Sequence, residues 1–242
     1  MSRRTKVLLA SAVAALVVFV GIPWIYINVI REPAAESFLE EIASATTVAT
    51  SDVVSATTLA EMPAAETETL ADPSGTWAVS TDSQVGYRVD EVLFGQNVTA
   101  VGRTNAVSGS VTIDGLVVTA AEFSVDMTTV KSDEPKRDAQ FESRIMDVIN
   151  FPTSTFVLST PITLDESNLS GNTNHRASGT LTLRGSSKQV DVDLVSSVRG
   201  GRITIAGEVV IIFEEWGIPN PSIPGISTED SGILEFNIIL ER

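Results

Sequence analysis

The chain has 242 residues, 43% of them hydrophobic, with 16 Lys plus Arg against 31 Asp plus Glu and a net charge of -15. That balance, without basic clusters, excludes nucleic acid as a partner, because neutralising phosphates requires Lys and Arg. There is no cysteine, so disulfides, thiolate nucleophiles and cysteine metal sites are excluded, and the single histidine, His175, cannot build an imidazole zinc site.

Residues 7–30 carry no charge over 24 positions. A helix of that length spans ~30 Å of hydrocarbon with some tilt. Arg3, Arg4 and Lys6 precede it and put the N-terminus in the cytoplasm, while Trp24 and Tyr26 fall where aromatic side chains prefer the interface. A signal peptide would have a shorter apolar region, ~7–15 residues, and a small-x-small cleavage site. The reading is an uncleaved transmembrane anchor over residues 1–31, with the rest of the chain extracytoplasmic. Residues 32–75 are rich in Ala, Thr, Ser and Glu and contain no Lys or Arg. Uncompensated charge with few aromatics predicts a disordered acidic tether.

From Thr76 the pattern turns to period two, and residues 76–242 read as one all-β domain. Trp77 opens a short strand, and Val85, Tyr87 and Val89 alternate with Gly86, Arg88 and Asp90. Val111 and Ile113 lead to an Asp114-Gly115 hairpin turn. Phe123, Val125 and Met127 then share a face.

The series breaks between Ser132 and Phe156. Ser132 or Asp133 can cap a helix, and Pro135 suits its first turn. Phe141, Ile145, Val148 and Ile149 recur at helical spacing, and Asn150 can take the left-handed position that ends it. One amphipathic helix among many strands covers the end of a barrel or sandwich, either as a plug on a core or as a lid on a cavity.

Beyond it Phe156 and Leu158, then Leu181 and Leu183, alternate up to a turn at Gly185. Val190, Val192 and Leu194 follow. A second hairpin turn, Arg199-Gly200-Gly201-Arg202, precedes Ile203 and Ile205, and then Val209, Ile211 and Phe213. Leu234, Phe236, Ile238 and Leu240 form the last strand. Eight or so alternating strands predict an antiparallel sheet with one apolar face, which loses its edges by closing. Between Phe213 and Gly232 lies a long Pro-containing loop that places Trp216 and Ile218 near a barrel mouth; the alternative is that Trp216 caps the core.

Catalytic patterns are missing. His175 sits in a Gly/Asn-rich stretch, and no Ser has a Lys three positions later. Gly225–Glu229 lacks the second glycine of a nucleophile elbow. Carboxylates such as Asp82 with Asp90 or Glu91 could serve acid–base chemistry, but nothing selects one pair. No metal or cofactor site is indicated.

Four blocks carry a resemblance. They are Trp77 with Asp82-Ser83 and Val85-x-Tyr87-x-Val89; Arg137-Asp138 leading to Phe151-Pro152-x-x-x-Phe156; Gly179-Thr180-Leu181-Thr182-Leu183-Arg184-Gly185; and Trp216-Gly217-Ile218. In order and spacing the chain resembles the YceI-like, polyisoprenoid-binding domain family over Trp77–Arg242. The resemblance implies a lipocalin-like antiparallel β-barrel that holds a polyprenyl chain and acts as a carrier or store, not as an enzyme. The chain departs from the family in lacking histidines near the first strands and in placing Glu214-Glu215 before Trp216, where relatives often have a basic residue. Those carboxylates favour a neutral quinone, prenol or carotenoid-like ligand over an anionic pyrophosphate.

On this reading Phe141 and Ile145 face inward from the lid. Tyr87, Phe123, Val125, Met127, Phe156 and Leu158 line the tunnel with Leu181, Leu183, Ile211, Phe213 and Phe236, and Phe151 and Trp216 join them at the mouth. The competing reading is a solid scaffold barrel that docks a protein through loop 218–226. A homodimer is open to either.

Overall fold

The computed structural model describes residue 11 and residues 21–30, 33–42, 72–169 and 171–242. Most of the expected anchor, and residues 43–71 of the expected tether, lie outside them. Ile22–Ile25 and Tyr26–Ile30 are helical, but among the described residues no helix is long and apolar enough to cross a membrane.

The strands are β1 (Gly75–Val79), β2 (Gln84–Leu93), β3 (Gln96–Thr104), β4 (Val107–Asp114), β5 (Val117–Asp126), β6 (Lys131–Ser132) and β7 (Thr153–Leu158). They continue as β8 (Ile162–Thr163), β9 (Gly171–Leu183), β10 (Ser186–Arg199), β11 (Arg202–Ile212), β12 (Ile226–Thr228) and β13 (Ser231–Glu241). Neighbours run β1-β4-β5-β7-β9-β10-β11-β13, and β1 also pairs with β13, so eight strands close into an antiparallel ring. Along the edge opposite β11, β13 serves two partners. Its first half pairs with β2 (Leu234↔Tyr87) and its last residues with β1 (Leu240↔Val79). From β13 the sheet also branches through β2 and β3 to β6, and residues of β2 and β3 such as Tyr87 and Ala100 face the same interior.

Trp77 locks the closure. Its ring is buried, its Nε1 donates to the Pro73 carbonyl at 2.9 Å, and the Arg242 guanidinium lies 4.3 Å from the ring centroid. Tight turns set the register of the long strands. Between β10 and β11 both central residues need positive φ, and Gly200 (58°) and Gly201 (71°) supply it without a Cβ penalty.

The helix runs over Pro135–Gln140 and continues in wider turns over Phe141–Ile145, where the Met146 amide reaches back five residues to Phe141 O. It departs from expectation in three ways. Glu134, not Ser132 or Asp133, is the N-cap, its carboxylate accepting from Lys136 N. The left-handed position is held by Asp147 (φ 50°), not Asn150. The widened turns also break the 3.6-residue phase, so Val148 is buried while Ile149 is 87% exposed.

Residues 33–42, expected within the tether, are instead packed against the barrel, with Phe38 only 1% exposed.

Candidate ligand-binding cavity

Side chains of alternate residues on the ring strands point inward, and they do not fill the space they enclose. The barrel contains a cavity of about 480 Å³ that runs from the helix end toward the β10–β11 turn, within the range of small-molecule sites. Its walls are almost wholly apolar: Val111 and Ile113 of β4, Phe123 and Val125 of β5, Leu181 and Leu183 of β9, Ile203, Ile205, Val209 and Ile211 of β11, and Leu234, Phe236, Ile238 and Leu240 of β13.

Two features of the sequence keep the lumen open. Several inward positions carry small residues, among them Ala100, Ala121 and Ala177. The large aromatics, meanwhile, lie flat on the wall over glycines of the neighbouring strand. A Cβ on Gly102 would stand 2.4 Å from the Tyr87 ring, one on Gly179 2.3 Å from Phe156, and one on Gly207 2.6 Å from Phe236. Each ring occupies space that a side chain would otherwise take, and so leaves the centre empty.

The helix covers one end. Phe141 stacks on Tyr87 with ring centroids 5.2 Å apart, and Ile145 and Met146 complete the apolar ceiling. The rim is polar. Arg137 pairs with Asp133 on its own segment and with Glu91 of β2 at 3.6 Å, which fixes the helix to the strand wall. Asp138 accepts from the Ser132 amide at 2.8 Å and from its hydroxyl at 2.7 Å. Arg144 donates to the carbonyl of Pro221 at 2.8 Å, tying the helix to the Pro-containing loop. The guanidinium nearest the lumen is thus shared by two carboxylates. Burial holds the Tyr87 phenol well above its ordinary pKa, so it stays a neutral hydroxyl among these groups.

Most of the side chains expected to contact ligand do line the cavity: Tyr87, Phe123, Val125, Met127, Phe141, Ile145, Phe156, Leu158, Leu181, Leu183, Ile211, Phe213 and Phe236. Phe151 and Trp216 are placed elsewhere. The Phe151 ring packs on the bare backbone of Gly185 with the Arg184 guanidinium 5.9 Å away, and Trp216 is buried beneath Lys188, 5.3 Å from its ring. Both sit in non-strand segments past the rim, where alternation no longer sets direction; Ile218, two residues beyond Trp216, does reach the cavity.

Sequence reasoning missed Ala100, Thr104, Ser196 and His175 as lining residues. The Gly/Asn-rich stretch around His175 forms part of β9, and its Nε2 lies 2.8 Å from Ser196 Oγ. Burial lowers its pKa, with nearby Asp165 opposing in part. As the only histidine it gives one imidazole signal. In an NMR pH series its midpoint should fall below the ordinary ~6.5. Its neutral form then adds stability above about pH 6.5, a contribution lost as pH drops through that value toward the lowered one. A midpoint at the ordinary value would place the ring in water, and one above it would mean that the Asp165 carboxylate outweighs burial.

A closed eight-stranded antiparallel barrel with an apolar lumen and a helical cover is lipocalin-like. This chain belongs to the YceI-like domain family, whose model matches residues 77–240. Among solved structures it is similar to BcnA from Burkholderia cenocepacia, with 18% identity, a TM-score of 0.53, and coverage of 66% of this chain and 98% of that one. It is also similar to a polyisoprenoid-binding domain from Saccharophagus degradans implicated in plant cell wall breakdown, with 14% identity, a TM-score of 0.55, and coverage of 69% and 97%. At these identities the likeness establishes the fold. No curated protein matches the chain in sequence.

Proposed function

We propose that this protein is a membrane-tethered, extracytoplasmic, non-catalytic carrier that holds an isoprenoid lipid in its barrel. The observation that carries the reading is the apolar lumen of about 480 Å³ in a member of the YceI-like family. Each CH₂ moved from water into such a space gains ~0.8 kcal/mol, so two or three isoprene units bind tightly without a single polar contact. The polyisoprenoid-binding relative from Saccharophagus degradans supports the ligand class. A solid scaffold barrel would have no such lumen.

Charge at the mouth favours a neutral headgroup. Glu91, Asp133 and Glu134 line the mouth against Lys136 and Arg137, and two of the three carboxylates share the Arg137 guanidinium, so a pyrophosphate arriving there would meet a net negative rim. A quinone carbonyl or prenol hydroxyl meets the neutral Tyr87 phenol instead. The uncharged run 7–30 behind Arg3, Arg4 and Lys6 supports a single-pass anchor with the barrel outside the cytoplasm. At the helix-capped end the β2–β3 hairpin tip exposes Phe94 (60%) beside Ile223, apolar contacts suited to a lipid surface.

The test is organic extraction of the full chain purified from its native membranes, followed by mass spectrometry. An isoprenoid near one equivalent per barrel is the expected result. A fatty acid in its place would refute the isoprenoid assignment. Repeated ligand-free preparations that take up no prenyl lipid from vesicles would refute the carrier.

A further inference from the structure

Glu235 lies on β13 between the inward-facing Leu234 and Phe236, so its side chain points out of the barrel, where a glutamate ordinarily meets water. It is nevertheless 0% exposed. Across the sheet its neighbour on β2 is Gly86, and beyond that on β3 is Arg103. The missing side chain at Gly86 lets Arg103 lie over the strand, since a Cβ there would stand 2.8 Å from Arg103 Cγ. Arg103 Nε then donates to Glu235 Oε1 at 3.0 Å. The second carboxylate oxygen is 3.8 Å from Arg88 Nη1 but, among the described residues, accepts no hydrogen bond. The barrel wall alone gives no reason for so costly a burial.

What excludes the water is a different part of the chain. Ser37 and Glu40 form a reciprocal capping box, with Glu40 N donating to Ser37 Oγ and Ser37 N to the Glu40 carboxylate, and this starts a short helical turn. The turn presents Phe38, 1% exposed, with the Arg103 guanidinium 4.0 Å from its ring centroid. Arg88 donates to the Ala35 carbonyl at 2.6 Å, and Arg103 Nη2 donates to the Glu36 carbonyl. Both arginines thus face a carboxylate inward and a peptide carbonyl outward. Just upstream, Asn28 Nδ2 donates to Gln96 Oε1 at 2.7 Å, on the hairpin that borders the cavity mouth, and Tyr26 reaches the cavity.

We propose that the Arg88–Arg103–Glu235 wall is a docking site for residues 35–38 of the same chain, and that this dock holds the cavity mouth at the membrane surface. The proposal rests on reading residues 7–30 as an anchor and the lumen as a lipid site. The barrel then does not float on a long leash. Its mouth stays where the anchor emerges, and a hydrocarbon ligand passes between bilayer and lumen without crossing water.

The chain in phosphatidylcholine nanodiscs tests both parts. Hydrogen–deuterium exchange should show the Glu41 amide, bonded to Ser37 O at 3.0 Å, protected in the wild type. Phe38→Ala should speed its exchange about tenfold or more with barrel amides unchanged, and Phe38→Trp should keep the protection. An unprotected Glu41 in the wild type, or protection untouched by Phe38→Ala, overturns the dock. Transfer of geranylgeraniol between nanodiscs should slow in Phe38→Ala at equal equilibrium loading; transfer at the wild-type rate overturns the mouth-holding role. No loading in either protein refutes the carrier reading instead, while the exchange data still decide the dock.

Discussion

Ala177→Phe is expected to leave the barrel folded and to weaken its hold on geranylgeraniol by about a thousandfold. Ala177 points into the lumen from β9, opposite Val192 on β10. A benzyl group there takes the room of roughly one isoprene unit, five carbons at ~0.8 kcal/mol each, or about 4 kcal/mol of lost binding. The same substitution in a filled core would overpack it and cost ~1–3 kcal/mol of stability. Denaturant unfolding and native mass spectrometry together separate the outcomes. Normal stability with lost binding supports a hollow barrel, whereas lowered stability with no binding in the parent protein supports a solid one.

Trp77→Ala should destabilise the fold by ~3–5 kcal/mol, the range for removing a buried large aromatic. The loss is expected at the upper end. β1 is the strand that joins β4 to β13, and Trp77 packs inside that seam with its indole N–H bonded to Pro73 O. Truncation leaves a void and an unpaired carbonyl where the ring closes. Equilibrium urea unfolding of the ligand-free protein measures the change. A loss below about 1 kcal/mol would mean that the closure is held elsewhere.

Much of the barrel was legible because a half-buried strand writes its inward face into the sequence. Val85-x-Tyr87-x-Val89 and Leu234-x-Phe236-x-Ile238-x-Leu240 needed only parity to be oriented. β3 escaped notice because its inward residues, Ala100, Gly102 and Thr104, are small: they lie beneath neighbouring side chains such as the Tyr87 ring and give no hydrophobic alternation of their own. The emptiness of the lumen was hidden for the same reason. It depends on which strand sets a glycine opposite which aromatic, a matter of register that a single chain does not display. Phe151 and Trp216 pack away from the cavity, Trp216 in the core as its alternative reading had it, because they stand in turns, where neither period applies. The packing of residues 33–42 left the faintest trace. Phe38 is a lone aromatic in an Ala/Glu-rich stretch, and its partner Arg103 lies far along the chain and reads as an ordinary solvent-facing strand residue.

The central claim is that a hydrocarbon chain occupies the space inside the ring. A crystal structure of the protein grown with geranylgeraniol addresses it most directly. The account predicts continuous density beginning beside Tyr87 and Phe141 and running down the lumen toward Ile203. Side chains closing that space, or lipid seated only on the outer surface, would contradict it.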